Sequence, residues 1–389
     1  MFSTQKIFHL FLFTLLISLS FSMALPNIFL VISLFLFLYM VIKKEINFYL
    51  TNDIIAFGFL LLFLIGKQLI QTKFNFEDSK FYSNFLIIFI LPILLQTFSK
   101  TKTAIALVEA SLIAILVALY NTIIYYFENK IIPFANDEAV NKILVIDRPY
   151  LGFFCLIAII SSFYLISKKP KYKMVLLFIS FSLFLFIVLI VARLSLLTLI
   201  LLGLIHLFFY STLLFYKKIL ILVTSIFIIS ITLHSYKNMS KRFFTNTSLE
   251  RIKLYDPRVD IWDCVYRISK ESDFNIILGS KSHQVISDKL VDCYKTKNEN
   301  DLQRRQWFVD TRFNTHNQFI DFFLVGGLLG LTIFMYLIYE MIRVSKNNFY
   351  SFSLVISLLL FLVFENVFQR QLGCYFIGVI LSFNSKPNK

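Results

Sequence analysis

Eight polar side chains of this chain border apolar runs and are the ones that could do chemistry. His316, followed by Asn317, lies in RFNTHNQFIDFFLVGGLLGL (312–331), where a polar run gives way to an apolar one. An imidazole titrating near pH 6.5 accepts a proton from a hydroxyl at neutral pH. His316 is therefore the candidate base, and Asn317 a residue to orient it or to hold a sugar hydroxyl. Arg148 in DRPYLGFF, Arg193 in VARLSLL, Arg258 in YDPRVDIW, and Arg312 and Arg370 each border apolar sequence. Guanidinium forks pair bidentately with phosphate oxygens and stay charged, which suits an anionic lipid headgroup. Arg193 is flanked tightly by apolar residues, a costly position unless it faces a cavity or a partner. Asp321, about a turn beyond His316, would pair with an arginine or hydrogen-bond an acceptor. The plainer alternatives are arginines that snorkel to lipid headgroups and a His–Asn pair that caps a helix start.

These residues are scattered along the sequence, so the elements between them must gather them. Hydrophobic residues make up 58% of the 389 positions and charged residues only 16%. With a mean hydropathy of +0.75, no soluble domain of this size could hide that much apolar surface. Many runs reach the ~20 residues that cross ~30 Å of hydrocarbon as a helix. They lack the apolar–polar alternation of barrel strands. The fold expected is an all-α polytopic membrane protein with about twelve spans, at 7–25, 27–42, 54–70, 81–98, 103–127, 150–167, 174–192, 194–216, 219–235, 317–342, 350–364 and 371–384. The first reads as a retained helix, since it is long and no small-x-small cleavage site follows it. The net charge of +15 does not point to nucleic acid. It sits in short loops, at Lys43-Lys44, Lys100 with Lys102, Lys168 to Lys173, Lys217-Lys218, and Arg343 with Lys346. With both termini cytoplasmic, all of these clusters face the cytoplasm, as the positive-inside rule requires.

That topology puts His316 and the five arginines at one depth on the opposite face, together with Glu365, which flanks the turn before the last span. It also divides the chain into an N-terminal bundle (1–235), a long loop or lid (236–316) and a C-terminal bundle (317–389). The loop holds both tryptophans, Trp262 and Trp307, and VDIWDCVYRIS (259–269) has the spacing of an amphipathic helix. Cys264 and Cys293 lie in it, on an oxidising side if the membrane is a bacterial inner one, where a disulfide is one outcome. With His283 they lack the regular spacing of a zinc site. Gly326, Gly327 and Gly330 form a small-residue face for close helix packing. No Walker motif, outer-face carboxylate pair, broken helix or paired repeat stands out. A metal-dependent transferase and a transporter are accordingly less expected.

Four stretches carry a resemblance: RPYLGFF (148–154), ARLSLLTL (192–199), RVDIWDCVYRISKESDFNIILGSKSH (258–283) and THNQFIDFFLVGGLLGL (315–331). In this order the chain resembles the O-antigen ligase and polymerase superfamily of bacterial membrane glycosyltransferases. Arg258 with Trp262, Gly279, His316-Asn317, and Gly327 with Gly330 match its pattern. The glycine-rich stretch usual in the family is here ILGSKSHQ, with one glycine. The resemblance implies a GT-C type fold with short helices in a periplasmic loop of an inner-membrane protein. It implies a metal-independent, cofactor-free, inverting transfer of a glycan from an undecaprenyl diphosphate carrier to an acceptor hydroxyl. Arg193 and Arg258 would bind the diphosphate and stabilise its leaving charge, and His316 would serve as base. Arg148, Asn317, Arg312, Asp321 and Arg370 would complete substrate binding. The acceptor implied first is lipid A-core, as for a ligase; a polymerase would use another lipid-linked repeat, and membrane lipids are the remaining partners. From other classes, a lipid-linked oligosaccharide flippase and a non-enzymatic scaffold stay open. A flippase would line a central cavity with charge rather than gather it at one face.

Overall fold

The computed structural model describes residues 4–71, 76–135, 137–220, 256–297 and 301–384. Among them there is no β-strand, and fifteen α-helices follow in order. They are α1 (Thr4–Ser18), α2 (Ala24–Ile42), α3 (Asn52–Gln71), α4 (Phe76–Leu95), α5 (Lys100–Asn129), α6 (Asp137–Ile143), α7 (Arg148–Lys168), α8 (Lys173–Leu189), α9 (Arg193–Ile205), α10 (Pro257–Ser269), α11 (His283–Thr296), α12 (Leu302–Thr311), α13 (Gln318–Ser345), α14 (Phe349–Phe364) and α15 (Gln371–Asn384). Among the described residues eight segments are long and apolar enough to cross a membrane: α2, α3, α4, α5, α7, α8 with the turn before it, α9 with its continuation to Tyr210, and α13. The chain is an all-α, multi-pass membrane protein. Three further expected spans fall on the shorter apolar helices α1, α14 and α15. At 1.5 Å per residue, helices of 14 to 16 residues reach about 21–24 Å, less than the hydrocarbon thickness. The expected span at 219–235 lies outside the described residues beyond position 220, as do loop residues 236–255 and Lys386 and Lys389.

The helices form two compact units, one of residues 1–110 and 257–389, the other of 111–256. At the centre of the first, α15 is buried from Leu372 to Asn384, an all-round apolar helix used as a core. It runs alongside α4, where Gly378 lets the helices meet at Leu91. Lipid tails are as apolar as leucine, so hydrophobicity alone does not hold helices together in a membrane; packing and polar ties do. α15 has such ties at both ends. The Tyr375 hydroxyl donates to Asn27 Oδ1 (2.8 Å), and Asn84 Nδ2 donates to the carbonyls of Phe368 (3.5 Å) and Gln369 (3.3 Å). Asn384 Nδ2 donates to Asp53 Oδ2 (3.2 Å), and Lys100 Nζ to Phe383 O (2.7 Å).

α13 is not continuous. At Gly327 its backbone leaves the helical region (φ 63°, ψ −160°), a conformation open essentially to glycine. The segment 275–280 docks into the break backbone to backbone. Ser280 N donates to Leu324 O (2.8 Å), Leu328 N to Ile276 O (2.9 Å) and Leu329 N to Ile277 O (3.2 Å). Gly279 (φ 73°) faces Gly327 across this contact, and a Cβ on Gly327 would lie 2.3 Å from Ile277 O. Lys67 of α3 donates to Leu278 O (3.3 Å), Ser280 O and Val325 O, supplying the donor that opened carbonyls require within a membrane. The three-glycine face therefore does two jobs. Gly326 and Gly330 lie against Phe63 and Leu64 of α3 as a packing face, while Gly327 is a break. The expectation of unbroken helices is corrected here, because the loop that fills the break comes from a distant part of the sequence.

The loop before α13 folds as a three-helix cap, α10 to α12. A disulfide joins Cys264 to Cys293, with Cα atoms 5.8 Å apart. Lys297 Nζ bridges Asp260 (3.2 Å) and Asp263 (2.7 Å), and Arg304 pairs with Asp260 at 2.6 Å. Tyr294, Phe308, Trp307 and Phe313 form an aromatic cluster with centroids 4.8 to 5.2 Å apart. Outside the apolar segments, the Lys297 ammonium on Asp263 holds that carboxyl below its usual range. Burial pushes the Tyr294 hydroxyl up.

In the second unit α8 and α9 pack on α7, which is buried from Tyr150 to Ser162. Gly152 sits against Ala192 and Ser195, so α7 and α9 begin side by side. The α8–α9 turn passes through Val191 at φ 54°, a rare conformation for a β-branched residue.

Candidate functional site

At the cap end of the first unit, three segments meet on Glu365. Asn317 caps α13, its Oδ1 accepting from Phe319 N (2.9 Å) and Ile320 N (3.1 Å), as a helix start prefers. The turn before it is held by Thr315, whose hydroxyl exchanges hydrogen bonds with the Asn366 side chain and whose carbonyl accepts from Trp262 Nε1 at 3.0 Å. His316 Nδ1 then lies 3.4 Å from Glu365 Oε2, and Arg258 Nη2 lies 3.6 Å from Glu365 Oε1. Arg258 Nη2 also donates to Phe364 O (3.3 Å), and its guanidinium stands over the Phe364 ring. His316 Nδ1 is closed off from solvent and has no hydrogen-bond partner, so its approach to Glu365 is a close contact and not a hydrogen bond. His316 itself sits at φ 46°, the left-handed side that few residues other than glycine adopt, His among the more frequent of them. With Nδ1 on the carboxylate, Nε2 is the ring atom left for a reacting group. A carboxylate beside an imidazole nitrogen is the pairing that, once closed to a hydrogen bond, gives the base–orienter arrangement of acid–base catalysis.

The same turn lines a cavity of about 510 Å³ with Phe313, Asn314 and Thr315. The opposite wall carries His283 and Asp321, bridged by Gln369. Gln369 Nε2 donates to Asp321 Oδ1 (2.9 Å) and stands 2.8 Å from His283 Nε2, while its Oε1 accepts from Asn314 Nδ2 (2.9 Å). That network makes His283 Nε2 an acceptor and puts the ring proton on Nδ1. Gln318 Nε2 donates to the second Asp321 oxygen (3.2 Å), and Phe81 stacks on the imidazole at 4.7 Å. Lys80, Arg312 and Arg370 complete the lining.

The first unit thus gathers His316 and Arg258 on Glu365, and Arg312, Arg370 and Asp321 on the neighbouring cavity. Arg312 ends α12 in the left-handed region and pairs with Asp288 at 2.6 Å. The side-chain oxygen of Asn317 is taken up by capping. Arg148 and Arg193 belong to the second unit, where both stand at one end as the first residues of α7 and α9. Glu365, Gln369 and His283 escaped a role in the sequence reading. Glu365 and Gln369 share the short polar break FENVFQR (364–370) between two apolar runs, which was the available signal. His283 had none. Among the described residues no group of three or more His, Cys, Asp or Glu side chains is placed to hold a metal ion. No family model and no curated protein matches the chain.

Proposed function

We propose that the chain is a glycosyltransferase of the O-antigen ligase type, acting at the membrane face that carries the cap. The observation that carries this reading is the arrangement on Glu365. One carboxylate faces both an imidazole whose Nε2 is left for a hydroxyl and a guanidinium suited to a phosphate oxygen. In this reading His316 takes the proton of the acceptor hydroxyl, and Glu365 orients the ring and stabilises the imidazolium that forms. Arg258 meets the diphosphate that leaves from the anomeric carbon. The C–O bond to the carrier breaks as the bond to the acceptor oxygen forms on the opposite face, which inverts the configuration. The donor would be undecaprenyl diphosphate-linked glycan and the acceptor lipid A-core or another glycan. Two features support a periplasmic cap on an inner membrane. The Cys264–Cys293 disulfide fits an oxidising compartment. Lys100, Lys102, Arg343 and Lys346 gather at the opposite end of the first unit, as cytoplasmic loops do.

The test is a surface-polysaccharide gel on a deletion strain complemented with wild type, His316→Ala, Glu365→Gln, Arg258→Ala or Arg193→Ala, with membrane levels matched. A ligase predicts bare core in the deletion and in the His316 and Arg258 variants, with long lipid-linked chains accumulating. A polymerase predicts single-repeat caps instead. Full complementation by His316→Ala would remove the transferase reading. The broken α13, with Lys67 on its open carbonyls, favours a second reading, a carrier of lipid-linked glycans. That reading predicts glycan retained on the cytoplasmic face and normal in vitro transfer by other enzymes.

A further inference from the structure

The cavity beside the His316 turn has a lining of its own that the transfer chemistry does not use. We propose that it is a binding site for an anionic saccharide, a sugar bearing a carboxylate or a phosphate. Its volume, about 510 Å³, falls within the ~300–1,000 Å³ of small-molecule sites. Three cations, Lys80, Arg312 and Arg370, line it against one carboxylate, Asp321. Both oxygens of Asp321 are already held by Gln318 and Gln369. Asp288 pairs with Arg312 and offsets its charge, and Asp78 accepts from the backbone amide of Gln284. Lys80 and Arg370 therefore carry the cationic character of the lining, and ammonium and guanidinium donors select carboxylate or phosphate oxygens.

Charge alone would fit a bare ion, but the rest of the lining is too polar and too large for one. Asn314 keeps one amide proton, Ser287 a hydroxyl and Gln369 Oε1 a lone pair for sugar hydroxyls, since both Gln369 Nε2 protons are held by Asp321 and His283. Phe313 and Leu290 give an apolar wall for the C–H face of a ring. The polar wall is preset. The Asn314–Gln369–His283 chain is closed by hydrogen bonds of 2.8 to 2.9 Å, and His283 is fixed against Phe81. Such preorganisation leaves little ordering to be done on binding. Because Phe313 to Thr315 line the cavity and His316 follows them, a sugar bound here would be the acceptor; that role, though not the binding, rests on the transferase reading.

The experiment is calorimetric titration of the full chain in nanodiscs with glucuronate, glucose 6-phosphate, glucose and inorganic phosphate. One of the two anionic sugars is expected to bind about tenfold or more tightly than glucose, the gain of a charge-assisted contact, and which one identifies the anion. Lys80→Glu and Arg370→Ala should each weaken it by about tenfold or more. Equal affinity for glucose, equal affinity for inorganic phosphate, no binding, or indifference to both cation variants would each overturn the site. Anionic-sugar binding that persists while no strain shows transfer would keep the cavity and discard the transferase. Transfer that ignores Lys80→Glu and Arg370→Ala would do the reverse.

Discussion

Replacing Gly327 by alanine tests whether α13 is broken as described. The backbone there (φ 63°, ψ −160°) costs a residue with a Cβ about 1–3 kcal/mol. The added Cβ would lie 2.3 Å from Ile277 O, so the two backbones must separate by roughly 1 Å to reach ordinary van der Waals distance. That opening stretches three hydrogen bonds of 2.8 to 3.2 Å, Ser280 to Leu324, Leu328 to Ile276 and Leu329 to Ile277, each worth about 0.5–1.5 kcal/mol net. The sum is roughly 3–7 kcal/mol. Two helical glycines are the controls. A Cβ on Gly66 meets nothing within 4 Å, and one on Gly330 meets ordinary contacts at 3.4 Å. Alanine at Gly66 should stabilise by about 0.5–1 kcal/mol. In thermal unfolding of the purified protein, Gly327→Ala should lower the midpoint by about 5–15 °C at ~2 °C per kcal/mol. Gly330→Ala should stay near wild type. If Gly327→Ala and Gly330→Ala unfold together, α13 is continuous and the 275–280 loop is not docked in it.

Three further outcomes are expected. Lys67→Met strips the donor from three carbonyls and should destabilise by about 1–3 kcal/mol per stranded group; combined with Gly327→Ala the losses should be less than additive, since both act on one junction. Cys264→Ser with Cys293→Ser opens a bridge between positions 29 apart and should remove about 2–4 kcal/mol, read as faster hydrogen exchange in α10 and α11 with α15 unchanged. Asp263 titrates below its usual range because Lys297 bonds the ionised form, so its contribution is present above the unfolded carboxyl value, about 3.9. It is lost as pH falls through the lower folded value; the fluorescence of Trp262 and Trp307 should report cap loosening below about pH 4, and Lys297→Ala should abolish that acid step.

How far the sequence reaches differs from element to element. Span composition, the basic loops and the amphipathic 259–269 segment follow from local chemistry, and α10 forms where its apolar spacing says. The pairing of Arg258 and His316 also follows in outline, because topology puts both on one face. Their shared partner does not. Glu365 stands in a short polar break, and which of two turns it faces depends on how α14 meets the cap. Gly327 shows the same boundary of inference. Three glycines in an apolar run suit either a packing face or a break, and the choice is made by the 275–280 segment far earlier in the chain. The C-terminal end of α1 was overread for a related reason, since hydropathy continues to position 25 while the helix ends at Ser18; α14 and α15 end where the expected spans do. His283 gains its place only through Phe81 and Gln369, contacts that no local pattern announces.

The central position of α15 also fixes an order of assembly during synthesis. α4 is made early, yet the groove it offers is filled by α15, and Asn84 of α4 finds its carbonyl partners 284 and 285 positions downstream, in the turn before that helix. Until that helix emerges, the Asn84 amide and the Leu91 surface have only lipid, water or a helper protein to meet. The apolar helices α7, α8 and α9 are made in the meantime. The first four helices therefore wait as an open, partly polar assembly until α15, made long after them, closes it. A chain stalled or cut before α15 would present to quality-control proteases an exposed amide at membrane depth rather than a merely shortened bundle.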